Sequence, residues 1–367
     1  MKKFIFPIII ILSILCLGSC GEKYKPVKST KEEARVVATL TLDGEKYEIK
    51  YELYRALFLN CKELVDGGDA SVWSGDKSSE YVDKINEMIF ERAAEIYSVL
   101  HLGGELGIDP YSKEINEAVT EYVRIGVEGN GADIEGHRSY DEYLESLKAK
   151  GMNYSVHDLL YRYSIVLEKI EEYYKGTSDQ ALGQLPGEFE IKRENVKAYY
   201  DSDECVRIFH LYYADGQNPY EMSIYKAGLE NATDYLDAAL YIINNMPHIV
   251  YSDLILDSPK NAIAGIMLGK YTLDERIYSE YISTAFYLSA GEVSDIITVT
   301  DGGKTHYIIY KLAKDNTHFD NSYEAIKNSY IDNEIGKRID TYKAGLQSSV
   351  SLTSKYGEIT HGSISMD

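Results

Sequence analysis

Two histidines are the residues of this chain that most favour chemistry by type and position. His210 lies in the strand-like segment Val206 to Tyr213, and His306 begins a second strand-like segment that ends at Leu312. An imidazole can donate or accept a hydrogen bond and can therefore orient a polar group of a bound molecule. Taken singly, a histidine on a strand is more often a structural hydrogen-bonding residue, so these two need support from their surroundings.

A short apolar helix face follows the first histidine in the chain. Its residues recur at four-residue spacing, which places them on one side of a helix, with a phenylalanine beside the last of them. They are Ile277, Tyr281, Ala285 and the neighbouring Phe286. Such a face can line an apolar pocket, or it can be ordinary core.

The sequence lacks the motifs of several other kinds of catalytic or binding site. It contains no nucleophile–base–acid triad, no glycine-rich phosphate loop and no Cys/His spacing typical of a metal site. The sequence therefore predicts neither a cofactor nor a metal. Cys61 and Cys205 are far apart in sequence, and two ordinary half-buried thiols are favoured over a bridge between them.

The N-terminus has the pattern of an export signal. Two lysines precede an apolar run, Phe4 to Gly18, that is shorter than the roughly 20 residues needed to span a membrane. The run ends in Leu17-Gly18-Ser19-Cys20, which resembles the bacterial lipobox. This predicts a signal peptide over residues 1–19 and a lipid on Cys20, followed by a polar tether over residues 20–35.

The charge of the chain limits its partners. The formal net charge is −21 at pH 7, which repels nucleic acid and anionic lipid headgroups alike. Attachment to a membrane would therefore depend on acyl chains and not on charge. The 34 tyrosines can pack in a core or line a groove, and composition does not decide between these.

Hydrophobic periodicity predicts the elements that must position these residues. Alternation around Asp43-Gly44 predicts a β-hairpin. Three- and four-residue spacing then predicts a series of helices. They cover Tyr51–Val65, Tyr81–Leu106, Lys113–Val127, Tyr140–Lys150, Val156–Tyr174, Ala227–Asn244, Tyr278–Leu288 and Asn321–Leu346. Residues 176–190 have the composition of a linker, and Ser349–Ile359 that of an extended tail.

The amino-acid sequences of these segments resemble those of the SurA and PrsA family of extracytoplasmic chaperone-foldases. The opening strand from Val36, the helix from Glu91 to the turn at Asp109, and the helix after Ser139 resemble the SurA-type N-terminal domain. The segment Val206 to Tyr213, the turn Gly265 to Gly269 and the segment Thr284 to Asp295 resemble a parvulin domain.

The resemblance implies an α+β fold with two parts. A helical SurA-like chaperone domain over residues 36–190 would be completed by a C-terminal helix and tail over residues 317–367. A parvulin-like α+β domain would occupy residues 191–316 between them.

The resemblance also implies a peptidyl-prolyl isomerase site that this chain matches in part. His210 corresponds to the first of two parvulin histidines, and Asp257 or Ser258 to the Asp or Cys position. For the second histidine, one alignment selects Ile308 and another selects His306. The substrate-binding positions correspond to Ile277, Tyr281 and Phe286, and the Asp of the glycine-rich turn is replaced by Met267.

Two functions stay open at this point. The first is a foldase that is lipid-anchored on the outer face of the cell membrane, binds unfolded or partly folded exported proteins and isomerises prolyl bonds. The alternative is a non-catalytic holdase or assembly scaffold with a degenerate parvulin domain. A homodimer is compatible with either function.

Overall fold

A two-residue turn sets the geometry of the first sheet. The computed structural model describes residues 24–66, 78–130, 136–175, 191–214, 219–234, 237–238, 240–241, 265–271, 279–300 and 304–348. Strands β1 (Val36–Leu42) and β2 (Glu45–Lys50) pair antiparallel. Asp43 and Gly44 between them have φ values of 50° and 86°. Two positive φ values define the turn that matches strand twist in tight hairpins, and Asp-Gly favours it, so the predicted hairpin is confirmed.

Helices follow the first hairpin, with bounds within a few residues of those predicted. They are α1 (Tyr51–Asp66), α2 (Ser78–Glu105), α3 (Lys113–Glu128), α4 (Tyr140–Ala149) and α5 (Tyr154–Lys175). Ser112 and Ser139 cap α3 and α4, since each hydroxyl accepts a backbone N–H of the first turn. Helices α2 and α5 contribute Ile96, Val99 and Val166 to one fully buried core.

A second sheet lies after helix α6 (Arg193–Asp201). Its strands are β3 (Cys205–Ala214), β4 (Ile266–Gly269), β5 (Ile297–Thr300) and β6 (Lys304–Leu312), and their antiparallel order is β4-β3-β6-β5. Helix α7 (Pro219–Glu230) covers one face of this sheet, and helix α8 (Ser279–Tyr287) covers the other. Residues on β3 and β6 alternate between the two faces.

The predicted helix from Ala227 to Asn244 is confirmed only in part, since a turn interrupts it, although residues 237, 238, 240 and 241 are helical. Helix α7 begins eight residues earlier, at Pro219, and ends at Glu230. A turn replaces helix over residues 231–234. The side chain of Asp237 accepts the backbone N–H of Thr233. Proline suits the first turn of a helix, where its missing N–H is not needed.

The last helix joins the two parts of the structure. A short helix, α9 (Asn316–Asn321), precedes the long helix α10 (Tyr323–Gly345). Ile331, Ile335 and Ile339 of α10 belong to the same buried core as α2 and α5. After α10, β7 (Gln347–Ser348) pairs with β1, where Leu40 lies opposite Ser348. The end of the described chain therefore packs against its beginning.

The fold is α+β, with ten helices and two small antiparallel sheets in the described ranges. No described helix combines the length and the apolar composition that crossing a membrane requires. Cys61 and Cys205 are free and more fully buried than predicted. Burial raises the pKa of each thiol to about 11, which keeps both protonated and unreactive at neutral pH.

Candidate functional site

His210 and two tyrosines form a cluster on one face of the second sheet. On β3, His210 shares a face with Val206 and Ile208, because side chains alternate along a strand. Across the sheet, His210 lies opposite Ile309 of β6. Tyr307, two residues before Ile309, therefore points to the same face as His210.

The three rings of this His210 cluster, made of His210, Tyr281 and Tyr307, contact one another edge to face. Ring centroids are 5.5 Å apart for His210 and Tyr281, 5.5 Å for His210 and Tyr307, and 5.1 Å for Tyr281 and Tyr307. These distances lie in the favourable range for aromatic pairs. The Nδ1 atom of His210 also forms a short hydrogen bond with the Tyr281 hydroxyl.

The cluster is buried at one end and partly open at the other. Tyr281 is 4% exposed, whereas His210 and Tyr307 are half-buried. Its neighbours on the same face are apolar: Ile309 and Ala285 are fully buried, and Phe286 packs beside them. The arrangement combines an apolar wall and the buried ring of Tyr281 with the imidazole of His210 and the ring of Tyr307 at its partly open edge.

Helix α8 is held to the sheet at its C-terminal end. The Nζ atom of Lys311 donates to the carbonyl oxygen of Phe286 at 3.1 Å, which satisfies a carbonyl of the last helical turn. Burial, and then the charge of Lys314, lowers the pKa of Lys311. The segment after α8 continues along β6, where Ser294 exchanges hydrogen bonds with Ile309. These contacts fix Tyr281 against His210.

His306 lies away from this cluster. It pairs with Tyr213 of β3, and its Nδ1 atom is 2.8 Å from the Thr298 hydroxyl oxygen. Because His306 alternates with Tyr307, it points to the opposite face of the sheet, the face of Ile308. The structure therefore separates His210 from both residues that the alignments offered as the second histidine.

The other predicted site residues are divided between the described and the undescribed parts of the chain. Met267 packs with Tyr199 and Cys205 in a core beside α6, apart from the His210 cluster. Asp257, Ile277 and the lipidation residue Cys20 lie outside the described residues, as does the alternative Ser258. Their predicted roles, like the catalytic roles of His210 and His306, stay predictions.

Tyr307 is the member of the cluster that the sequence analysis missed. One alignment selected its neighbour His306 as the second histidine because that residue is a histidine. Strand alternation shows that only one of the two can face the side that carries His210, but it does not show which one. The deciding fact is the register of β3 against β6, which two strands almost 100 residues apart in sequence do not reveal.

Comparison with known proteins adds similarity of fold at a low level. No family model matches the chain, and no curated protein matches it. Among solved structures, the chain is similar to foldase protein PrsA from Streptococcus pneumoniae str. Canada MDR_19A, with 16% identity over 72% of this chain and 86% of that one and a TM-score of 0.27.

Two further solved structures are similar at the same level. Foldase protein PrsA from Lactococcus lactis shares 13% identity over 88% of this chain and 93% of that chain, with a TM-score of 0.25. Peptidylprolyl isomerase PrsA from Bacillus anthracis shares 15% identity over 74% and 97%, with a TM-score of 0.22. At such values these similarities do not define the family of the chain, and its function has to be argued from its residues.

Proposed function

We propose that this protein is an extracytoplasmic foldase that binds unfolded exported chains and isomerises prolyl peptide bonds at the His210 cluster. The observation that supports this most is the apolar wall of Ile309, Ala285 and Phe286 with His210 and Tyr307 half-open at its edge. An apolar wall suits a pyrrolidine ring, and hydrogen-bonding groups beside it suit the adjoining carbonyl.

Prolyl isomerisation breaks no covalent bond, so the protein has only to lower the barrier to rotation. Rotation about a peptide bond has a barrier of about 18–20 kcal/mol, because the planar amide is conjugated. A protein lowers this barrier if it binds the twisted amide better than either planar isomer. In this proposal Tyr307 and His210, whose ring centroids are 5.5 Å apart, would hydrogen-bond the carbonyl as its conjugation is lost.

We also propose roles for the helical part of the protein and for the lipid on Cys20. Helices α1 to α5, completed by α10, would hold an extended client segment while the second sheet acts on its prolines. Cys20 would carry the lipid that keeps the protein at the outer face of the membrane. Mass spectrometry of the mature N-terminus tests this anchor, and an unmodified Cys20 would count against it.

A holdase without isomerase chemistry is the second candidate, and one observation favours it. His306 and His210 lie on opposite faces of the sheet, so the cluster contains one imidazole where the resemblance implies two. In that case the second sheet would serve only as an additional binding surface.

The experiment that separates the two candidates measures prolyl isomerisation of short peptides with several residues before proline. We expect turnover by the wild-type protein and a decrease of about tenfold or more in His210→Gln, since tenfold corresponds to about 1.4 kcal/mol, the scale of one hydrogen bond. Tyr307→Phe should lower turnover for the same reason, and His306→Gln, on the opposite face, should leave it unchanged.

A histidine remote from the sheet provides the control. His137 lies between α3 and α4, where it contacts Ser146 at 3.2 Å, so His137→Gln should retain full turnover. Absence of turnover in a protein that still suppresses the aggregation of an unfolded client would support the holdase. Absence of both activities would overturn the proposed function.

A further inference from the structure

Three hydrogen-bond acceptors converge at the junction of the first hairpin and helix α2. The Nε2 atom of His101 lies 3.7 Å from Oδ2 of Asp43 and 3.8 Å from Oε1 of Glu105. One ligand atom from each of these residues lies within 4.8 Å of the other two. The separations are too long for direct hydrogen bonds, which end near 3.2 Å for nitrogen and oxygen.

Neighbouring hydrogen bonds determine the tautomer of His101. The Tyr47 hydroxyl donates its proton to Oε2 of Glu45 at 2.7 Å. Its oxygen also lies 2.8 Å from Nδ1 of His101, so it must accept a hydrogen from that nitrogen. In a neutral imidazole with hydrogen on Nδ1, the lone pair is on Nε2. The lone pair therefore faces the two carboxylates.

This nitrogen is buried without a partner. The His101 side chain is 9% exposed, and its Nε2 atom has no hydrogen-bond partner. A buried polar atom that lacks a partner destabilises the folded state, so native proteins rarely leave one unpaired. A lone pair that faces two carboxylates is electrostatically unfavourable. A cation bound between the three atoms would stabilise them.

The three residues are also held in place by their surroundings. The backbone of Asp43 has the left-handed conformation of the hairpin turn, with φ of 50°. The second carboxylate oxygen of Glu105 accepts a short hydrogen bond from Tyr342 of α10. The Tyr342 ring packs on His101 with centroids 5.2 Å apart. A ligating histidine that donates its other N–H to an oxygen, and a carboxylate that is itself hydrogen-bonded, are the usual supports of a metal site.

We propose that Asp43, His101 and Glu105 form a binding site for a divalent transition-metal ion, best matched by Zn²⁺. Tetrahedral coordination at bond lengths near 2.0–2.1 Å places ligand atoms about 3.4 Å apart, which small side-chain adjustments from 3.7 Å and 3.8 Å provide. One imidazole and two carboxylates suit zinc, whereas Ca²⁺ and Mg²⁺ prefer oxygen ligands alone. The exposed side of Asp43 leaves a fourth position open to solvent.

The test is calorimetric titration of the purified, tag-free protein with ZnCl₂, together with the absorption spectrum after Co²⁺ is added in its place. We expect one ion per chain and Co²⁺ bands typical of a four-coordinate site. Asp43→Asn should weaken binding by about tenfold or more while the turn is kept, because Asn-Gly favours the same backbone. Glu105→Gln should have a similar effect, and Tyr47→Phe should weaken binding by about tenfold through the orientation of His101.

Matched variants elsewhere on the chain serve as controls. His137→Gln and Glu117→Gln change one histidine and one exposed carboxylate outside the cluster and should bind Zn²⁺ like the wild type. Zinc binding that is unchanged in Asp43→Asn and Glu105→Gln would overturn the proposal, since it would place the ion elsewhere. The absence of saturable Zn²⁺ binding by the wild-type protein would overturn it as well.

Discussion

His157 of α5 shows how the tyrosines of this protein shape the behaviour of single residues. Its ring stacks on Tyr122 with centroids 5.4 Å apart, and its Nδ1 atom is 3.2 Å from the Tyr143 hydroxyl. Burial, and then the charge of Lys150, lowers the pKa of His157 to about 4, while Asp158 acts in the opposite direction. The folded state therefore disfavours the charged imidazole.

This depressed pKa makes the stability of the folded protein depend on pH. Between the ordinary histidine value near 6.5 and the folded value of about 4, the unfolded chain binds the proton more tightly than the folded chain. Stability contributed by neutral His157 is thus complete above pH 6.5 and is lost as the pH falls towards 4. The loss amounts to about 2 kcal/mol between pH 7 and pH 5, at 1.4 kcal/mol per pH unit.

Urea unfolding at a series of pH values tests this expectation. The difference in unfolding free energy between pH 7 and pH 5 should be smaller by about 2 kcal/mol in His157→Phe, which keeps a ring against Tyr122 but cannot titrate. Tyr143→Phe retains the imidazole and should retain most of the slope. Equal slopes in wild type and His157→Phe would show that another group controls this range.

At the scale of elements, helix α2 carries two adjacent glycines in opposite environments. Gly103 is buried, and a Cβ atom placed there would lie 2.5 Å from Cγ1 of Val166 on α5. Gly104 is exposed, and a Cβ atom there would meet nothing within 4 Å. The absence of a side chain at Gly103 therefore allows α2 and α5 to approach closely.

Alanine at the two positions should have opposite effects on stability. Gly103→Ala is expected to destabilise the protein by about 1–3 kcal/mol, because valine is restricted in χ1 and the helices would have to separate. Gly104→Ala should stabilise it by up to about 1 kcal/mol, the usual gain from replacing glycine within a helix. Midpoints of urea unfolding measure both, and two shifts of the same sign would contradict the packing of α2 on α5.

The helices were largely predictable from the sequence, whereas the candidate sites were predictable only in part. Three- and four-residue periodicity located α1 to α5 because each has one apolar side against the core. The opposite faces of His210 and His306 follow from strand register, and the meeting of Asp43 with His101 follows from how the hairpin sits on α2. Both depend on contacts between residues distant in sequence, which local patterns do not contain.

At the scale of the whole molecule, α10 contacts both the helical core and the second sheet. Its Asn333 is fully buried, and its Oδ1 atom accepts the backbone N–H of Tyr271 at 3.2 Å, just beyond β4. Lys337 bonds Glu204 at 2.6 Å, next to the start of β3. Its isoleucines meanwhile pack with α2 and α5. Contact on two sides explains why α10 buries the polar Asn333 as well as these isoleucines.

Gly336 is the point where the backbone of α10 comes nearest to the end of β4. A Cβ atom there would overlap the carbonyl oxygen of Tyr271. We expect Gly336→Ala to lower the unfolding free energy by about 1–3 kcal/mol and to speed hydrogen exchange at Tyr271, because the sheet must move away from α10. Asn328→Ala, an exposed change on the same helix, should alter neither. Unchanged exchange at Tyr271 in Gly336→Ala would show that this junction is not tightly packed.

The end of the chain packs against its beginning where β7 pairs with β1, so the helical core is completed late in synthesis. The helical core combines segments made first, such as α2 and α5, with Ile331, Ile335 and Ile339, which are made about 160 residues after α5. The second sheet is built from the continuous stretch between them. A chain that emerges from its N-terminus onwards can therefore complete the sheet early, while the apolar sides of α2 and α5 stay uncovered until α10 arrives. The protein would itself spend part of its biosynthesis as an incompletely folded chain.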